Sequence, residues 1–130
     1  MGTADRPRKV LVVDDSNLVR RYYRAALEGS GFAVEEALNG LEGIEKLLLE
    51  TFDLVILDVN MPKMDGFTFL ADLRARSAPS AAVPVLVIST EAGMQDREAA
   101  RQAGANYYLV KPVAEDDLVA HAAVLTGRPS

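Results

Sequence analysis

Apolar residues along this chain follow two alternating rhythms. Short runs with nearly every position apolar are separated by longer stretches in which apolar residues recur every three or four positions. The first kind suits a strand buried on both faces, the second an amphipathic helix. Lys9–Val13 (KVLVV) reads as the first strand. After it, Leu18, Tyr22 and Ala26, with Val19 and Tyr23 beside them, recur at helical spacing until Gly29-Ser30-Gly31 ends the segment. Residues 32–37 form the second expected strand, and Asn39-Gly40 opens a helix with Leu41, Ile44 and Leu48 along one side. Residues 54–57 form the third strand, and Asp65 is expected to cap a helix carrying Phe69, Leu70 and Leu73. A loop over residues 77–84 leads to the fourth strand, residues 85–88. The next helix, of about a dozen residues, closes at Gly104, where glycine takes a left-handed cap. Tyr107–Val110 is the fifth strand and Glu115–Leu125 the last helix.

Strands and helices in strict alternation imply a parallel sheet covered on both faces. A closed eight-fold barrel would need roughly twice the length. The runs KVLVV, LVIL and VLVI are almost wholly apolar, as central strands should be. FAVEEA carries Glu35 and Glu36, and YYLV is the most polar of the rest, so these two belong at the edges. With right-handed crossovers the strand order becomes 2-1-3-4-5, a flavodoxin-like, doubly wound α/β fold with five strands and five helices. One domain over residues 9–126 is expected, with short tails at 1–8 and 127–130.

Composition narrows the function classes. The chain has 130 residues, 49% hydrophobic and 25% charged, which suits one globular domain. No apolar run approaches the roughly 20 residues of a membrane span. Met1 to Lys9 has no apolar signal core, and Arg6 stands where N-myristoylation needs Ser or Thr. Cysteine is absent, so a reducing, cytoplasmic location is expected. The net charge of −5 argues against nucleic acid as a direct partner. Arg20, Arg21 and Arg24 come nearest to a basic cluster; they read as a solvated helix face, Arg20 and Arg24 on one side and Arg21 turned away.

In open sheets of this kind, ligands bind beyond the carboxyl ends of the strands, where strand order reverses. Asp14-Asp15, Asp58, Ser89-Thr90 and Lys111-Pro112 all fall there. Two carboxylates about 4 Å apart in a partly buried site repel by roughly 4 kcal/mol at an effective dielectric of about 20. Such a cluster binds a proton or a cation. Magnesium suits it, since that ion takes one or two carboxylates and leaves positions for water and phosphate. Lys111 offers a compact positive charge to a phosphoryl oxygen, and Ser89 or Thr90 a hydroxyl. These are the parts of phosphoryl transfer to a carboxylate nucleophile. Taken singly they have plainer readings: Asp15 or Ser16 as cap of the first helix, Ser89 or Thr90 as cap of the fourth, Lys111 as a surface lysine. Spacing alone does not say which Asp is the nucleophile.

The segments VLVVDDS, LVILDVNMPKMDG, PVLVIST and QAGANYYLVKP resemble the response-regulator receiver family, on the side of its single-domain chemotaxis regulators. The likeness runs from Lys9 to Leu125. It implies that Asp58 is the phosphoacceptor and that Asp14, Asp15, Asp58 and the backbone carbonyl of Asn60 hold Mg2+, one Asp through water. It implies that Lys111 contacts the phosphoryl group, with a cis bond to Pro112. The switch hydroxyl falls on Ser89 and the switch aromatic on Tyr108, while Asn60 and Glu91 tune the phosphoryl lifetime. Tyr107 points to the face opposite Tyr108. The last helix, EDDLVAHAAVLTG, lacks the lysines expected for docking to a flagellar motor, and its His121 is expected to be inert. The implied function is a stand-alone response regulator, phosphorylated by a sensor histidine kinase or a histidine phosphotransfer protein. It would signal to a separate downstream protein through the surface of the fourth helix, fifth strand and fifth helix. The alternative is a Mg2+-dependent aspartyl-phosphate phosphatase or phosphotransferase of the haloacid dehalogenase type. That group generally carries a second acid two residues beyond the nucleophile, where Asn60 stands.

Overall fold

Residues of the central strands alternate between two helical layers, and this parity decides where each functional side chain emerges. The computed structural model describes residues 6–59, 63–76 and 79–127. Its elements are β1 (Lys9–Val13), α1 (Asn17–Glu28), β2 (Ala33–Ala37), α2 (Gly40–Leu49), β3 (Leu54–Asp58), α3 (Lys63–Ala75), a 3-10 turn (Pro79–Ala82), β4 (Val85–Ser89), α4 (Met94–Ala103), β5 (Tyr107–Val110) and α5 (Glu115–Leu125). The sheet is parallel, in the order β2-β1-β3-β4-β5 read from strand polarity. Leu11, Val13, Val55, Leu57, Val85 and Val87 face α2, α3 and α4, packing with Ile44, Phe69, Leu73 and Ala100. Val10, Val12, Leu54, Ile56, Leu86 and Ile88 face α1 and α5, packing with Tyr23, Leu27, Leu118 and Ala122. Each fully buried Leu or Ile contributes roughly 1.5–3 kcal/mol through burial. Asp58 continues the second series, so its carboxylate comes out on the α1 side.

Helix ends follow local chemistry. Ser16, rather than Asp15, caps α1: its Oγ accepts the Val19 N–H at 3.2 Å. Asn39 caps α2 by accepting the Glu42 N–H, while Glu42 reaches back to the Leu38 N–H. Gly104 closes α4 at φ +114°, as expected of a left-handed cap. Phe32 stays outside β2, since its N–H closes the end of α1 on the Leu27 carbonyl.

Two helix expectations need correction. On α2 the buried stripe is Gly43, Ile44 and Leu47, whereas Leu41 is 72% and Leu48 60% exposed. The cause is close approach: a Cβ on Gly40 would lie 2.9 Å from Phe69 Cβ, and one on Gly43 3.0 Å from Phe69 Cε1. α2 rests its glycines on Phe69, which turns the two leucines outward. α3 begins at Lys63, so Asp65 lies inside its first turn rather than at its cap. An acidic residue suits either place, because both lie at the positive end of the helix dipole. Among the described residues, no helix is long and apolar enough to cross a membrane.

Arg74 ties the amino-terminal edge of the sheet together. Its guanidinium donates to the carbonyls of Gly104 (2.7 and 3.1 Å), Ala81 (2.9 Å) and Val83 (2.7 Å), and to Asn106 Oδ1. Asn106 Oδ1 in turn accepts the Val85 N–H. Arg74→Ala strands several of these carbonyls and is expected to cost about 2–3 kcal/mol in urea unfolding. Arg74→Lys should recover less than half of that, because an ammonium cannot fork among three carbonyls.

Candidate functional site

Main-chain bonds carry the sheet past its strand ends and fix the site's frame. Asp14 N–H bonds to the Ala37 carbonyl at 3.1 Å, Val59 N–H to Ile88 at 3.0 Å, and Lys111 N–H to Ser89 at 2.8 Å. On that frame Asp58 is 1% and Asp14 3% exposed, and Ser89 is equally buried. Asp15 and Thr90 remain exposed. Lys111 Nζ lies 2.7 Å from Asp58 Oδ2, and the Tyr23 hydroxyl donates to the same oxygen at 3.3 Å. Asp14 Oδ1 accepts the Ser16 N–H at 2.7 Å, and its carboxyl is hydrogen-bonded to Asp58.

Electrostatics follow from this packing. Burial first, and the hydrogen bond with Asp58 second, push the Asp14 carboxyl up to about 7, against the pull of the Ser16 N–H. Burial, and then the Asp58 charge, raise the Tyr23 phenol above its ordinary value, so it stays protonated and donates. Among the described residues, no group of three or more acidic, histidine or cysteine side chains is gathered as a metal cage. The buried pair Asp14 and Asp58 still fits magnesium, which needs only one or two carboxylates and strongly relieves their repulsion. Asn60 lies outside the described residues.

Arg20 departs from the sequence reading. Rather than lying on a solvated face, it is 4% exposed, and its guanidinium donates to the Asp14 carbonyl, to Asn17 Oδ1 and to Glu36 Oε1. Arg24 shares its side, as the spacing implied, and reaches Glu36 at 3.0 Å. The acid on β2 is what allows a guanidinium to be buried here, since a buried charge must be paired. Helical spacing located the face but not the carboxylate and carbonyl beneath it.

On the far side of the site, Ser89 and Tyr108 are joined through one residue. Ser89 Oγ accepts the Glu91 N–H at 3.0 Å, and the Tyr108 hydroxyl donates to the Glu91 carbonyl at 2.7 Å. The Tyr108 ring lies 5.3 Å from the Arg97 guanidinium. Neither Ser89 nor Thr90 caps α4, whose cap position is Gly93. Tyr107 takes the opposite face and stacks on His121 at 4.8 Å, so that histidine is half-buried rather than fully exposed. The Lys111–Pro112 bond is cis. A groove of about 550 Å³, walled by Leu18, Tyr22, Thr90, Pro112 and Val113, leads from the surface to Lys111. Sequence reasoning missed Arg20 and Tyr23. A polar group on an otherwise apolar helix stripe was the available signal, because a buried phenol needs a partner.

Since Asp14 ionises at about 7 when folded and at 3.8 when free, its contribution to stability is full at low pH and is lost as pH rises through about 7. In magnesium-free urea titrations, wild-type stability should fall relative to Asp14→Asn between about pH 4 and 8. By about pH 8 the variant should be the more stable by about 1–3 kcal/mol. A constant difference across that range would contradict a raised Asp14 carboxyl.

Comparison with known proteins bears on the family and the fold. The response regulator receiver domain family matches residues 10–123. The KDP operon transcriptional regulatory protein KdpE of Escherichia coli is 41% identical over 121 residues, covering 93% of this chain and 52% of that protein. Response regulator MprA of a Mycobacterium species is 36% identical, covering 95% of this chain and 53% of that protein. The chain thus spans about half the length of these two relatives. Among solved structures, the chemotaxis protein CheY4 of Vibrio cholerae is similar at 34% identity and a TM-score of 0.85, covering 92% of this chain and 99% of that one. The receiver domain of a Pseudomonas aeruginosa sensor histidine kinase, with a magnesium ion coordinated in its active site cleft, is 25% identical with a TM-score of 0.83, covering 94% and 99%. The haloacid dehalogenase alternative is thereby set aside in favour of a phosphoacceptor signalling domain. By sheet order and family match alike, this chain belongs to the response regulator receiver family, as a CheY-like domain that signals through phosphorylation.

Proposed function

We propose that this domain accepts a phosphoryl group on Asp58 from a histidine kinase or a histidine phosphotransfer protein. The observation that carries the reading is the Lys111 ammonium 2.7 Å from a carboxylate that is 1% exposed and hydrogen-bonded to a second buried acid. An ordinary surface lysine and turn aspartate do not meet in that way. An Asp58 carboxylate oxygen bonds to phosphorus as the P–N bond of the donor's phosphohistidine breaks and its electron pair returns to the imidazole, and Lys111 turns to a phosphoryl oxygen. Asp14, Asp15 (one of the pair through water), Asp58 and the Asn60 carbonyl would hold magnesium. When bound, that ion supplies positive charge against the phosphoryl oxygens.

The same geometry supports a readout. Phosphorylation adds about two negative charges at Asp58, which draw the Ser89 hydroxyl away from the Glu91 N–H. Glu91 also accepts from Tyr108, so motion at Ser89 reaches the Tyr108 ring and the surface of α4, β5 and α5. A downstream protein reads that surface, as in a chemotaxis-type messenger or a phosphorelay shuttle. Glu91 and Asn60 set the phosphoryl lifetime.

With radiolabelled acetyl phosphate and magnesium, wild-type protein should take up label and Asp58→Asn should lose it by about a hundredfold or more, as expected when the nucleophile is removed. Equal labelling of the variant would refute the assignment. Replacing Asn60 and Glu91 together should shift the decay constant several-fold, measured by loss of label in a chase.

A further inference from the structure

Tyr23 has no part in the chemistry described so far. It lies on the buried stripe of α1, packed in the same layer as Leu27 and Ile56, and is 3% exposed. Its hydroxyl donates to Asp58 Oδ2 at 3.3 Å, the oxygen that Lys111 also meets. A buried phenol aimed at the phosphoacceptor touches the reacting group itself.

We propose that Tyr23 is a catalytic residue for loss of the phosphoryl group, stabilising the Asp58 carboxylate as it leaves phosphorus. The proposal rests on Asp58 being the phosphoacceptor. With transfer at Oδ1, Oδ2 becomes the carbonyl oxygen of a neutral acyl phosphate linkage. In hydrolysis a water oxygen bonds to phosphorus and the Oδ1–P bond breaks. The bonding pair returns to the carboxylate, and the water proton passes to phosphate and solvent. Oδ2 then changes from a carbonyl acceptor to half of an anion. A hydrogen bond to a charged acceptor is roughly twice as strong as one to a neutral acceptor. The Tyr23 bond therefore strengthens along the reaction, which is what accelerates a step. Once Lys111 has turned to a phosphoryl oxygen, Tyr23 stays on Oδ2. In the forward direction the carboxylate is charged from the start, and a loose transition state keeps most of that charge. The hydroxyl therefore favours hydrolysis over phosphorylation and shortens the signal.

Tyr23→Phe keeps the ring and removes the donor. Forward constants from acetyl phosphate and decay constants after a chase are measured for wild type, Tyr23→Phe and Asp58→Asn. Decay in Tyr23→Phe should slow about three- to tenfold, in line with one lost hydrogen bond to a charged group. The ratio of forward to decay constants should rise by a similar factor. A ratio that stays level or falls overturns the proposal, because a merely loosened site slows both steps together. If Tyr23→Phe does not fold by circular dichroism, Tyr23→Met carries the same criterion. Labelling of Asp58→Asn equal to wild type would instead overturn the phosphoacceptor assignment, and the role of Tyr23 with it.

Discussion

Asp14 and Asp58 meet under the surface at the carboxyl edge of β1 and β3, sharing a hydrogen bond in a pocket almost closed to water. Neither can move away, because Asp14 directly follows β1 and Asp58 ends β3, two strands buried on both faces and held by the neighbouring ladder. At an effective dielectric of about 20, two charges at such range repel by roughly 4 kcal/mol. The chain relieves part of this by raising the ionisation of Asp14 toward neutrality and by setting the Lys111 ammonium against Asp58. What remains unbalanced is a repulsion that a divalent cation would relieve. The fold stores that tension because the core on either side of the sheet outweighs it.

The helix that follows β1 does more than cover the sheet. Ser16 caps α1 and supports Asp14 with its N–H, Arg20 holds the Asp14 carbonyl from beneath, and Tyr23 reaches Asp58. One helix thus grips both acids of the pair. Across the site, β4 leads to the Glu91 peptide, which bonds Ser89 on one side and Tyr108 on the other. Of the two flanks, only the second opens toward α4 and β5, where Tyr108 meets the Glu91 carbonyl and the Arg97 guanidinium.

Most of this architecture was legible in the sequence, for an identifiable reason. Apolar runs such as KVLVV report a strand buried on both faces, and the glutamates of β2 report an edge, so strand order followed from polarity. Asp14, Asp58, Ser89 and Lys111 then fell together, because strand ends on one edge of a parallel sheet must be neighbours. Helices were less legible. Periodicity told which side of α1 faces inward but not that Glu36 and the Asp14 carbonyl lay there to take a buried guanidinium. On α2, glycine's lack of a side chain mattered more than leucine's apolarity, since Gly40 and Gly43 set the approach to Phe69. The contact between Tyr23 and Asp58 depends on depth across two layers, a distance that spacing along a chain does not encode.

If the buried Asp14 carboxyl still holds a proton near neutrality, a magnesium ion must displace that proton to bind. Calorimetric titration with magnesium, run in two buffers of different ionisation enthalpy, counts the protons released. The account expects saturable one-to-one binding with release of about one proton at about pH 6, falling toward none by about pH 8.5. Saturable binding with no proton release at either pH, or no binding at all, would contradict it.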